Sequence, residues 1–234
     1  MCNNHRLFTY LLAFTWLFLT ACGAETQETE EIEDTEPTEE VIEDETEEDE
    51  SDATAIKISS ARTEAIIVKD AANNQEMVKV QVVDPSTVQV SFGGMSLTGE
   101  AKGEKRKYKD DTDFTILEIK SKEPQKMKLN TNDGRMLWKL KISGSKIKIS
   151  NNEEGENPFE LKQNDEGKIK VKYQGKELGS VQLSEGKVKI KKAEEEAFTI
   201  ATDQNSYAFA LMVIDEIPAE EKYVLMAELL ARGL

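Results

Sequence analysis

From about Thr54 to Thr202 aliphatic residues recur at every second position, which restricts this stretch to strands with one buried and one wet face. Val78-Lys79-Val80-Gln81-Val82, Leu140-Lys141-Ile142, Ile147-Lys148-Ile149, Ile169-Lys170-Val171 and Val188-Lys189-Ile190 are representative. Turn residues interrupt the pattern at Asp84-Pro85-Ser86, Asn132-Asp133-Gly134, Ser143-Gly144-Ser145, Asp165-Glu166-Gly167, Gln174-Gly175 and Ser184-Glu185-Gly186. Spacings of about 8–12 residues between turns predict an antiparallel meander of many strands, closed as a barrel or paired as a sandwich. The fold class is therefore mainly β. Met77 to Ser91 aligns with Leu137 to Ser150 with one gap, so at least two hairpins are similar in sequence.

The period changes after Thr202. Tyr207 to Ile214 is apolar on every side, the pattern of a helix buried all round, and 207–217 is expected to form it. Pro218 interrupts. Ala219 to Ala231 then reads as a second terminal helix, with Glu220 and Glu221 at its start and Gly233 beyond its end.

A lysine-rich meander followed by an apolar helix resembles the tubby C-terminal-like fold, including its LURP-one-related members. The resemblance covers most of 55–217 and rests on pattern. It implies a closed barrel around a hydrophobic C-terminal helix; the second helix departs from it. A hollow lipocalin-like barrel or a sandwich would satisfy the same alternation.

The N-terminus carries an address. Leu7 to Ala21 is an apolar run behind His5 and Arg6, shorter than the roughly 20 residues a membrane span needs and suited to a signal peptide. It closes on Leu19-Thr20-Ala21-Cys22, which resembles the lipobox of bacterial lipoproteins. That resemblance implies cleavage between Ala21 and Cys22, a lipid on the Cys22 sulfur and acylation, commonly palmitate, of the new N-terminus. Residues 1–21 are then a signal peptide and 22–53 a tether. The expected location is the cell envelope, anchored by lipid: the outer membrane, with surface exposure in view, or the outer face of a single cell membrane.

Removing the signal removes chemistry. His5 is the sole His and Cys2 the sole other Cys. A mature chain without His and with its one Cys lipidated cannot assemble a Ser-His-Asp triad, a Cys–His nucleophile or a His-thiolate zinc site. No cofactor or metal is expected, and the domain is read as non-catalytic.

The net charge of −16 is unevenly spread. Residues 24–53 hold 17 acids and no base, so this segment is expected to be a disordered, extended spacer. Residues 54–234 then hold 29 acids and 29 bases. Within them 101–192 carries 23 bases against 15 acids, densest at Lys102, Lys105, Arg106, Lys107 and Lys109, which are expected to lie on a loop. These five are the candidate anion-binding residues, for an anionic lipid, lipopolysaccharide phosphate or an acidic protein partner. Sparse aromatics argue against nucleic acid. The compact carboxylate clusters are Asp110-Asp111-Thr112-Asp113, read as a turn, and Asp215-Glu216, read as a helix end.

The sequence leads to a membrane-anchored envelope lipoprotein whose β-domain, 54–234, binds or supports without catalysis. The alternative is a lipid or hydrophobic-ligand carrier in a hollow barrel, and the third a carboxylate-dependent envelope enzyme.

Overall fold

A computed structural model describes residues 64–234. The signal, Cys22, the acidic segment and the first ten residues of the expected β-domain lie outside the described residues.

The fourteen strands run in chain order: β1 (Ile66–Asp70), β2 (Glu76–Val82), β3 (Thr87–Phe92), β4 (Met95–Lys102), β5 (Lys105–Lys109), β6 (Thr115–Glu123), β7 (Lys126–Thr131), β8 (Met136–Ser143), β9 (Lys146–Ser150), β10 (Phe159–Gln163), β11 (Ile169–Tyr173), β12 (Lys176–Ser184), β13 (Lys187–Lys192) and β14 (Glu195–Ile200). Each pairs antiparallel with its chain neighbours, and β14 returns to β1, with Val68 opposite Ile200. Closure leaves no sheet edge free. The two-residue turns Gln174-Gly175 and Glu185-Gly186 have positive φ at both positions, 48° and 81°, then 54° and 73°. Those signs match the twist of the flanking strands, which favours a tight hairpin there.

The alternation read from the sequence becomes an inside and an outside. Val68, Val78, Val88, Val90, Leu129, Leu140, Ile147, Ile149, Leu161, Val171 and Ile190 point inward and are fully buried, while the lysines between them face out.

What fills the interior differs in detail from expectation. The apolar segment 207–214 forms one α-helical turn, α1 (Tyr207–Ala210), and then a 3₁₀ turn over Leu211–Val213 before Ile214 becomes extended. Ser206 caps α1 by accepting from the Ala208 amide at 3.1 Å. Residues 207–214 are buried throughout, and so is most of α2 (Ala219–Ala231), in which Val224, Leu225, Met226 and Ala227 are consecutive and wholly inaccessible. Four consecutive helical positions cover all faces of the cylinder, so α2 is enclosed all round.

The path is a helical hairpin along the barrel. Asn205 donates to the Gly167 carbonyl at 2.7 Å, at the end of the barrel that carries the β10–β11 turn. The chain crosses to the other end, where Asp215 pairs with Lys192 at the close of β13. It returns as α2: Glu221 accepts from the Trp138 indole at 2.5 Å, and the Tyr223 ring meets that of Phe92 edge-on at 5.0 Å. Arg232 then reaches the Pro124 carbonyl of the β6–β7 turn, back at the first end, at 3.4 Å. Bonds from the Gly233 amide to the Leu230 carbonyl and from the Leu234 amide to Leu229 close α2 in a Schellman motif, with Gly233 at φ 72°.

Gly179 makes room for the crossing. A Cβ there would lie 2.1 Å from the Lys191 carbonyl oxygen and 2.9 Å from Cγ1 of Val213, so β12 admits only glycine where the bulged β13 and the 3₁₀ turn converge.

Candidate functional site

The basic segment is not a loop. Lys105 to Lys109 form β5, joined to β4 by Gly103-Glu104, and strand parity divides the five candidate residues. Lys102, Lys105, Lys107 and Lys109 face outward and line one open concavity of about 620 Å³ with Ser86, Thr87, Glu100 and Ala101. Arg106 faces inward and is buried, so it belongs to the core and not to that surface.

The four lysines are unequal. Lys109 is bound to Asp113 at 2.8 Å and lies 3.6 Å from Glu100. Its hydrogen bond to Asp113 is the main reason its pKa lies above the usual lysine range. Lys105 is 3.5 Å from Glu118. Lys102 and Lys107 have no ion-pair partner among the described residues. Two uncommitted ammonium groups therefore border the concavity, beside the Thr87 and Ser86 hydroxyls. The Ser86 hydroxyl is turned to Asp84 at 2.6 Å, and that bond chiefly holds the Asp84 carboxyl below its ordinary range.

Beneath the concavity lies a buried polar network. The Arg106 guanidinium donates to Glu228 of α2 at 2.9 Å through Nε, to the Ser86 and Gly99 carbonyls at 2.6 and 3.3 Å through Nη1, and to the Pro85 carbonyl at 3.0 Å through Nη2. Glu228 also accepts from Arg232 Nε at 2.9 Å and, more weakly, from the Tyr108 hydroxyl at 3.5 Å. Burial, with the Glu228 carboxylate beside it, pushes the Tyr108 phenol well above its ordinary pKa, so it stays protonated. One guanidinium thus fixes the β2–β3 turn, the β4 backbone and the interior helix together. Gly99 makes room for its cross-strand neighbour Tyr108: a Cβ there would stand 2.6 Å from the ring.

Arg106 and Tyr108 carry a signal in the sequence that segment-level charge counting obscures. In Lys105-Arg106-Lys107-Tyr108-Lys109 the alternation itself sets Arg106 and Tyr108 on the face opposite the lysines. Glu228 carries no comparable signal, since a glutamate in a helical run reads as solvated.

The carboxylate clusters separate. Asp110 closes its own turn: its Oδ1 accepts from the Thr112 hydroxyl at 2.7 Å and from the Thr112 and Phe114 amides at 2.9 and 3.0 Å. Those bonds, the Thr112 hydroxyl first, hold its pKa low. Asp110 and Asp111 share an open concavity of about 480 Å³ with Glu220, Met95, Leu97 and Ile116. Burial and the neighbouring Glu221 raise the Glu220 pKa. Asp215 and Glu216 are exposed at the turn into α2, with Asp215 on Lys192. Among the described residues no group of His, Cys, Asp or Glu is placed to hold a metal ion.

Comparison with protein-family models, with curated proteins and with solved structures finds no match to this chain.

Proposed function

We propose that the protein is a lipid-anchored envelope protein whose barrel works by binding at its outer surface, without catalysis. The reading joins the Cys22 lipobox to one structural observation, the concavity over β4 and β5. There Lys102 and Lys107 are uncommitted, and the floor is pinned by Arg106. A rigid floor with unpaired cations above it suits an anion: a lipid head group, a lipopolysaccharide phosphate or an acidic protein surface. The tubby-like resemblance is in keeping with the enclosed C-terminal helix, and remains one of pattern.

Two observations weigh against the alternatives. A carrier needs a hollow, and the interior here is occupied by α1, the 3₁₀ turn and α2, all buried. Carboxylate chemistry would have to use Asp110, Asp111 and Glu220, yet the Asp110 oxygen is committed to its own turn.

Two variants of the full-length chain test the proposal. Cys22→Ser is expected to move the protein from the membrane to the soluble fraction and to abolish incorporation of a labelled fatty acid; retention in the membrane overturns the anchor. The double variant Lys102→Glu, Lys107→Glu is expected to lose co-sedimentation with phosphatidylglycerol vesicles and with lipopolysaccharide. Unchanged binding to both removes the hairpin as the site.

A further inference from the structure

The register of the barrel wall places lysine opposite lysine. Lys102 faces Lys105, Lys105 faces Lys120, Lys120 faces Lys128 and Lys128 faces Lys139, a single row across β4 to β8. Below it Lys126 faces Lys141 and Lys141 faces Lys148, and farther round Lys146 faces Lys162 and Lys162 faces Lys170. All eight pairs lie between β4 and β11. On β12, β13, β14, β1 and β2 the lysines face Ser, Thr, Gln, Gly, Ile, Tyr or Glu instead.

Like charges directly opposite one another destabilise a sheet, and a chain free to choose would alternate their signs, as the β13–β14 pairs Lys191–Glu196 and Lys192–Glu195 do. Compensation on the eight-strand wall is partial. Lys105 and Lys120 share Glu118, Lys146 and Lys148 share Glu160, and Lys126, Lys128 and Lys170 pair with Glu123, Glu153 and Glu177. Lys141 and Lys162, each opposite two lysines, have no ion-pair partner among the described residues. Each opposed lysine pair that keeps an unpartnered ammonium is a place where bound anionic charge would be favourable.

The shape of the wall selects among polyanions. Eight of fourteen strands cover more than half the circumference of a closed barrel. A planar bilayer touches only a narrow strip of so convex a surface, whereas a flexible linear chain can follow a row around it. Five lysines at about 4.8 Å per strand step extend roughly 19 Å along the wall. That spacing is comparable to the repeat of a polymer with one carboxylate per sugar ring. The outward cations of these strands are lysines, interspersed with Glu100, Glu118 and Glu160 and bordered by Glu177 of β12. They are point charges that take an anion in any orientation, and no strand from β4 to β11 presents an outward arginine fork to read a planar group. No aromatic side chain faces out between the rows to stack a base.

We infer that the outer wall from β4 to β11 binds a linear acidic polysaccharide, wrapped across the strands along the lysine rows. The inference rests on the proposed surface-binding role and extends it from the β4–β5 concavity to the rest of the wall, with an acidic polysaccharide as the anion.

The test uses the full-length chain in neutral detergent, with polygalacturonate as probe. The wall variant carries Gln at Lys120, Lys128, Lys139, Lys141 and Lys148, leaving the β4–β5 hairpin intact. A control of equal charge change carries Gln at Lys69, Lys79, Lys187, Lys189 and Lys191. The wall variant is expected to lose about tenfold or more in affinity at low salt and to flatten the dependence of log affinity on log salt, with the control within about twofold. Without the probe, its thermal midpoint at low salt is expected to equal or exceed that of the parent, because opposed like charges are relieved. Equal losses in both variants, no binding by the parent, or a lowered midpoint in the wall variant overturns the inference. So does a parent that binds phosphatidylglycerol vesicles through these lysines but not the polysaccharide. Membrane fractionation through Cys22 without polysaccharide binding sinks this inference and leaves the anchor standing. Polysaccharide binding without fractionation does the reverse.

Discussion

Arg106 and Glu228 meet at 2.9 Å inside the barrel, 122 residues apart in the chain and both nearly inaccessible to solvent. The pair ties the wall to the helix that fills it. Because it is buried, its value lies less in net attraction than in what either partner becomes when left alone.

Replacing Arg106 with Met leaves Glu228 with Arg232 as its only cation and takes the guanidinium donor from the Pro85, Ser86 and Gly99 carbonyls, of which Ser86 keeps the Ala101 amide. The expected cost is about 3–5 kcal/mol, read from urea unfolding with the slope unchanged. The double variant Arg106→Met, Glu228→Leu is expected to recover a measurable part of that loss, since no unpaired charge remains in the pair. Additive losses in the double variant would contradict the coupling.

Gly179→Ala adds a methyl group that meets a backbone oxygen at 2.1 Å, an atom that cannot rotate away. Either β13 or the 3₁₀ turn must shift. An unfolding cost of about 3 kcal/mol or more is expected, at the upper end of overpacking. Gly186→Ala, where no heavy atom lies within 4 Å but φ is 73°, is expected to cost only about 1 kcal/mol. Similar costs at the two sites would show that the crossing is not tight.

Leu225 lies at the middle of the enclosed helix and is fully buried. Leu225→Ala is expected to destabilise by about 2–5 kcal/mol, because a wall of paired strands cannot collapse onto the void. A loss below about 1 kcal/mol would mean that α2 is not packed on all sides.

Lys222 is buried at the far end of α2, facing Lys192, Asp215 and Glu216. Burial first, and Lys192 second, lower its pKa from 10.5, against the opposing pull of Asp215 and Glu216. The folded state therefore holds fewer protons than the unfolded chain between the lowered value and 10.5, so this site's contribution to stability rises with pH across that window and is least favourable below it. Lys222→Met is expected to be more stable than the parent at neutral pH, with the gap closing as pH rises toward 10.5. Urea midpoints across that range check the sign; a constant gap would point to packing alone.

The sequence alone determined the strand content, the positions of most turns and the limits of α2, because each depends on local periodicity and on residues such as Gly, Asn and Pro that act on their own backbone. Met77 to Ser91 and Leu137 to Ser150 are both hairpins for the same reason. Tertiary structure alone decided that the interior is crossed twice. The apolar run 207–214 is buried along its whole length, as one α-helical turn and a 3₁₀ turn, and α2 is enclosed with it. Only α2 is long enough to return along the interior, with its glutamate neutralised by arginines from β5 and from its own C-terminal end. It also decided which cations are surface. Lys102, Lys105, Lys107 and Lys109 stayed outside while Arg106 turned in, because strand pairing fixes parity and parity fixes direction. Finally, register made scattered lysines into rows. A sequence counts charges, but only the pairing of strands places like against like.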